Sequence, residues 1–157
     1  VGCADLRMAP VMAQVLADRG VSALVVRGDD GLDEITTTTT TSVWVVEGGT
    51  VRRDELDPAV LGVPVCRRED LRGGDATVNA EVVRRLLAGD PSPVRDAVVL
   101  NSAAALATYR GLTSNLADDL LGTAGSAVEA IDSGAAAALL KRWARLTTEL
   151  SATVTLR

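Results

Sequence analysis

A chain of 157 residues, 47% hydrophobic and 24% charged, has the size and apolar content of about one folded domain and is too apolar for a disordered segment. Sixteen Lys plus Arg against twenty-one Asp plus Glu leave a net charge of −5; that field repels phosphate backbones and anionic lipid, so no nucleic-acid or membrane partner is expected. No histidine is present, which excludes His triads, His general bases and His-containing metal sites and leaves carboxylates, hydroxyls, Arg, Lys and backbone for any chemistry.

Cys3 and Cys66 lie far apart, form no CxxC pair and read as ordinary reduced thiols. No stretch approaches the ~20 apolar residues of a membrane span, and the first residues lack the basic and apolar regions of a signal peptide. A cytoplasmic protein is the expectation. The chain opens on Val1 and enters a helical pattern at once, so it reads as a fragment of a longer chain. Phe is absent and Lys141 is the sole lysine among many arginines, a bias that points to a G- and C-rich coding sequence rather than to chemistry.

Met8, Val11, Met12, Val15 and Leu16 recur at spacings of three and four, predicting an amphipathic helix over Leu6 to Arg19 that stops at Gly20. Val21 to Val26 is a short β-branched apolar run, read as a buried strand of an α/β sheet, so helix, turn and strand make half of a crossover unit. The threonines of Ile35 to Thr41 favour extended backbone. Ser42 to Glu47 and Thr50 to Leu56 flank Gly48-Gly49 and predict an antiparallel hairpin. From Asp57 to Asp75 the chain reads as loop, with one short extended piece around Val63 to Arg67. Four helices follow, over Thr77 to Ala88, Val94 to Tyr109, Asn115 to Ile131 and Ala135 to about Leu146. The second of these carries small residues, Ser102 to Ala105, that permit close packing. The fold class is therefore α/β, with strands in the first half and helices in the second.

The loop Gly28-Asp29-Asp30-Gly31-Leu32-Asp33-Glu34 follows the buried strand, and ligands of open α/β sheets bind beyond the carboxyl ends of strands. Four carboxylates within six residues repel one another unless a cation neutralises them, and hard oxygen donors on a short loop suit Mg²⁺. The competing reading is that Asp29 and Asp30 form the turn while Asp33 and Glu34 are solvated. The spacing is not that of a calcium-binding EF-hand. The hydroxyls of Thr36 to Thr41 could meet a phosphate, and Gly73-Gly74-Asp75 could cradle an anion or cap the next helix. Asn79 and Asn101 could reach a ligand or bond backbone. Arg95-Asp96 suits a helix start, and Trp44 and Trp143 suit core or interface.

Five phrases carry a resemblance: MAPVMAQVLADRG, ALVVRGDDGLDEITTTTT, LRGGDATVNAEVVRRLLAGD, PVRDAVVLNSAAALA and AIDSGAAAALLKRW. In this order and spacing, to about Trp143, the chain resembles the C-terminal portion of the anthranilate phosphoribosyltransferase family. The resemblance implies a larger α/β domain of the nucleoside phosphorylase/phosphoribosyltransferase type. Residues 1–157 would be part of that domain, without the N-terminal helical domain or the glycine-rich phosphate-binding loop. It also implies a homodimeric transferase of tryptophan biosynthesis that moves phosphoribosyl from phosphoribosyl pyrophosphate to anthranilate. Asp33 and Glu34 match the family's acidic pair that holds Mg²⁺ against pyrophosphate; no other catalytic or cofactor residue is carried over. Arg27 stands where relatives commonly have His, and Ser102 where they tend to have alanine. On this basis the isolated chain should be inactive and should expose apolar surface where absent segments pack. The alternative is a non-catalytic paralogue or remnant that binds metal or a partner; a nucleoside phosphorylase matches the phrases less well.

Overall fold

The computed structural model describes residues 1–154. In chain order the elements are α1 (Ala9–Asp18), β1 (Ala23–Gly28), β2 (Thr41–Glu47), β3 (Thr50–Leu56), a 3₁₀ turn (Arg68–Leu71), α2 (Ala76–Leu87), α3 (Pro93–Arg110), α4 (Leu116–Asp132) and α5 (Ala135–Val154). The class is α/β, as expected. Among the described residues no helix is long and apolar enough to cross a membrane. The chain divides into two compact units: Val1–Arg72 with Ser92–Ala127, and Gly73–Pro91 with the chain from Val128 onward.

The first unit is built on a three-stranded sheet ordered β1-β2-β3, with both pairings antiparallel. The β2–β3 hairpin turns at Gly48 (φ 57°) and Gly49 (φ 76°); two successive positive φ angles match the twist of a right-handed hairpin, so the glycine pair sets the register. On its other side β1 meets Gly2 in parallel, with Cys3 N donating to the Val26 carbonyl and Val26 N to the Val1 carbonyl, both at 2.9 Å. The crossover unit expected from the sequence is therefore completed by residues 1–3 themselves, a short extended piece that periodicity does not reveal. Two cysteines far apart in sequence stay apart in space, and both are free.

Strands β1 and β2 are buried on both faces, which is why their apolar runs are continuous instead of alternating, whereas β3 carries Arg52, Arg53, Asp54 and Glu55 and buries only Leu56 fully. Ala23, Val25, Trp44 and Val46 face α1, whereas Leu24, Val26, Val43, Val45 and Leu56 face Leu100, Ala104 and Ala107 of α3 and Leu116 and Leu120 of α4. The α1 face that docks is Ala9, Ala13 and Ala17, not the larger apolar residues: Val11 and Val15 are each 51% exposed. Methyl side chains let the helix backbone approach the sheet, and close packing there outweighs the transfer of a few large side chains. On α3, Ala103, Ala104 and Ala107 do the same, and the Thr123 hydroxyl of α4 donates to the Ala103 carbonyl at 2.8 Å.

In the second unit α2 packs against α5. Asp75 caps α2, accepting from Thr77 N and Val78 N at 2.9 Å each. Helix α5 continues well past Leu146, and Leu139, Trp143, Leu146 and Leu150 are exposed. Among the described residues no named strand forms over Val63 to Arg67, although Arg67 itself is extended (φ −89°, ψ 153°), and a 3₁₀ turn follows at Arg68–Leu71. A single turn of four residues leaves no period for the sequence to show.

The docking geometry of α1 predicts an inverted response to size. Ala13→Leu adds apolar volume yet should cost about 1–3 kcal/mol by overpacking, while Val15→Ala, on the outer face, should stay within about 0.5 kcal/mol. Urea denaturation of both variants checks this, and the reverse ranking would show that the large residues face the core.

Candidate functional site

The acidic loop leaves the carboxyl end of β1 and is closed by its own first half. Gly28 N donates to the Leu32 carbonyl at 2.9 Å and Gly31 N to the Gly28 carbonyl at 2.9 Å. Asp30 accepts Leu32 N on one oxygen at 3.1 Å and the hydroxyls of Thr36 and Thr38 on the other at 2.7 and 2.5 Å. Asp29 accepts the hydroxyls of Thr40 (2.5 Å) and Ser42 (3.0 Å), and Arg53 donates to the same Ser42 oxygen at 3.0 Å. Burial pushes the Asp30 carboxyl up, but the bonds from Thr38, Thr36 and Leu32 and the charge of Arg68 outweigh it and hold it below its ordinary value.

The threonine run is thus not the extended strand that its composition suggests, and the Thr36, Thr38 and Thr40 hydroxyls are engaged by Asp30 and Asp29. It is a bent segment with Thr41 as the first residue of β2. Thr36, Thr38 and Thr40 turn to the two aspartates, while the Thr37 hydroxyl lies 3.3 Å from the Cys66 sulfur. Hydroxyl bonds to the carboxylates compensate for the sheet ladder that these residues forgo.

Asp33 and Glu34 are left exposed at the end of this loop. No hydrogen bond or ion pair engages either carboxylate among the described residues. Glu34 rims three concavities. One, of about 440 Å³, is lined by Leu24, Val26, Asp33, Ile35 and Ala104 among others; a second, of about 150 Å³, by Leu71, Val94, Ala97, Val98 and Asn101; a third, of about 260 Å³, by Leu32, Arg68, Glu69, Leu71 and Arg72. The Glu34 carboxyl is pushed above its ordinary value, first by the protein that partly covers it and then by the negative charges of Asp33 and Asp30.

Two adjacent exposed carboxylates, of which Glu34 has a raised proton affinity, form a donor set that a cation would relieve. Among the described residues no cluster of three or more such ligands closes around one point. A pair fits Mg²⁺, which takes one or two carboxylates and completes its shell with water and substrate oxygens, better than a metal needing a closed protein cage.

The loop is fixed from both sides. A Cβ on Gly2 would overlap the Asp33 carbonyl, so the extended N-terminal piece presses directly on the backbone of the acidic pair, and only glycine permits the approach. From α3, Asn101 pairs with the backbone of Ile35. The other residues singled out in the sequence are structural or lie elsewhere. Asn79 pairs with the backbone of Gly74, donating to its carbonyl and accepting from its N–H, both at 2.9 Å. Asp96 lies in the first turn of α3. Trp44 is buried under the Arg53 guanidinium, 4.8 Å from the ring centre, whereas Trp143 is exposed. The anchors of the loop, Gly2 and Asn101, are what sequence reading missed or left undecided.

A strand, a crossover helix and an acidic pair at the strand's carboxyl end are the arrangement in which open α/β domains bind ligands. The sequence pattern of the family described as "Glycosyl transferase family, a/b domain" matches residues 1–137, and the chain belongs to that family. It is 60% identical over 154 residues to anthranilate phosphoribosyltransferase of Saccharopolyspora erythraea, covering 96% of this chain and 43% of that protein. The same enzyme of Thermobifida fusca is 57% identical over 143 residues, covering 91% and 41%. Among solved structures, anthranilate phosphoribosyltransferase of Thermus thermophilus superposes with a TM-score of 0.74 at 31% identity, covering 90% of this chain and 40% of that one. The Saccharomyces cerevisiae enzyme in complex with PRPP and Mg shares the fold, with a TM-score of 0.72 at 23% identity, covering 85% and 38%. The chain spans about two fifths of the length of these relatives.

The electrostatics of the pair give a signed expectation. Because the folded chain raises the Glu34 pKa, ionising this side chain works against folding as pH rises through its range, opposite to Asp30, whose contribution is lost as pH falls. In an NMR titration the Glu34 side-chain carbon should report a midpoint above that of an ordinary glutamate. Asp33→Asn should bring the midpoint down, and an unchanged midpoint would remove Asp33 as a cause.

Proposed function

We propose that this chain is the metal-holding part of an anthranilate phosphoribosyltransferase, an enzyme of tryptophan biosynthesis. The reaction breaks the bond between the ribose anomeric carbon and pyrophosphate and forms one from that carbon to the amine of anthranilate, which gives up a proton. The observation that carries this reading is the Asp33-Glu34 pair at the carboxyl end of β1, within a chain 60% identical to an enzyme of that name. In this reading the whole protein is a homodimer, as the five-phrase resemblance implies, and works in the cytoplasm, as expected of a sequence with no recognisable signal peptide or membrane span.

Asp33 and Glu34 would hold Mg²⁺, which when bound supplies positive charge to the pyrophosphate leaving group. The chain's own part is orientation. Asp29 and Asp30, held by Thr36, Thr38, Thr40 and Ser42, keep the loop in one shape. Arg68 and Arg72 line the cleft shared with Glu34 and would supply cationic donors suited to phosphate oxygens. Contacts to anthranilate and to the remaining phosphate oxygens belong to the portion of the relatives that this chain does not span.

Loss of anthranilate fluorescence with phosphoribosyl pyrophosphate and Mg²⁺ tests the proposal, comparing the 157-residue chain with the same chain joined to its upstream coding sequence. Activity is expected only in the joined form, and Asp33→Asn or Glu34→Gln there should lower kcat/KM by about a hundredfold or more. Inactivity of the joined form would favour a non-catalytic relative. Full activity of the short chain would overturn the division of the site.

A further inference from the structure

The acidic pair is bounded downstream by Ile35, whose side chain is 2% exposed in the core. The Ile35 backbone has no strand neighbour, since β2 begins only at Thr41. Its two polar groups are instead taken by one side chain. Asn101 Oδ1 accepts from Ile35 N at 3.0 Å, and Asn101 Nδ2 donates to the Ile35 carbonyl at 2.8 Å and to the Ala97 carbonyl, one turn back on α3, at 2.9 Å. An amide presenting one acceptor and one donor to a single residue reproduces the bonding of an adjacent β-strand. The polarity of Ile35 N–H and C=O fixes which amide atom is which. The second donor ties the side chain to its own helix, so the position of α3 is passed to the residue that follows Glu34.

Asparagine is a poor residue for a helix interior, because its side chain competes for backbone groups. Here it occupies the middle of α3, beside the closely packed Ala103 and Ala104. It also lines two of the clefts that Glu34 rims. A residue serving only to satisfy backbone has no need of that location.

We infer that Asn101 is the positioning residue of the Asp33-Glu34 pair, setting the spacing and direction of the two carboxylates for a divalent cation by clamping the Ile35 backbone to α3. The inference rests on the proposed metal-holding role of the pair.

The test uses Mn²⁺ with inorganic pyrophosphate, binding being read by electron paramagnetic resonance on the 157-residue chain. Asn101→Ala should weaken Mn²⁺ binding at least tenfold with the helical circular dichroism retained, and should release the Ile35 amide to rapid hydrogen exchange. Asn101→Gln keeps both amide functions but carries them one methylene further from α3, so it should fall between. Should the alanine variant unfold, the glutamine variant carries the test. Asn79→Ala removes a like amide-to-backbone pair in the other unit and should leave Mn²⁺ binding unchanged.

A folded Asn101→Ala chain that binds Mn²⁺ as tightly as the parent, while Asp33→Asn and Glu34→Gln abolish binding, would overturn the positioning role and leave the metal reading intact. Equal loss in Asn79→Ala would reduce the effect to general destabilisation and overturn the inference. Absence of Mn²⁺ binding in the parent chain, or unchanged binding in Asp33→Asn and Glu34→Gln, would overturn the metal reading and the inference with it.

Discussion

Mutual repulsion of four carboxylates within six residues is the constraint around which the first unit is arranged. A loop this acidic can be ordered only if some of the charge is met inside the protein, and it is met by hydroxyls. Asp30 and Asp29 between them accept from Thr36, Thr38, Thr40 and Ser42. Bonds from neutral donors do most of the holding, with the charge of Arg68 adding to them at Asp30. Three residues further on, Asp33 and Glu34 have no such bonds, and partial burial together with the charges of Asp33 and Asp30 raises the proton affinity of Glu34. One half of the loop is bonded within the protein and the other half is left exposed.

Legibility from sequence followed the range of the interaction that fixes each element. The Gly48-Gly49 hairpin and the Asp75 cap of α2 are decided by residues within a few positions, and both are readable. The partner strand of β1 at residues 1–3 is too short to show a pattern, and the bent threonine segment is set by carboxylates six to thirteen positions away. The buried face of α1 was hidden for another reason. Hydrophobic periodicity ranks valine and methionine above alanine, but contact distance to the sheet decides this helix, and only Ala9, Ala13 and Ala17 allow it. Of the site, Asp33 and Glu34 were readable through resemblance, while the structural use of Asp29 and Asp30 was only one of two open alternatives.

Composition also shaped the packing. With no Phe and 2% aromatic residues, the core is filled by alanine, leucine and β-branched side chains, and its alanine and β-branched members have few rotamers and tolerate little change in spacing. Trp44, the large aromatic in the sheet, packs on the α1 side, with the Arg53 guanidinium over its ring. Such a core gains its stability from short distances between backbones more than from bulky side chains.

Short distances are also what the site requires. The backbone of the acidic pair is met by Gly2 from the strand beside β1 and, through Ile35, by Asn101 from α3. These anchors lie 31 residues before Asp33 and 66 residues after Ile35, and they reach the loop only because the sheet is covered on one face by α1 and on the other by α3. An Asp-Glu dipeptide is common in sequence and by itself specifies nothing. What turns it into a candidate cation site is a sandwich thin enough, through its alanine contacts, for one glycine backbone and one asparagine amide to reach the loop's main chain from remote parts of the chain.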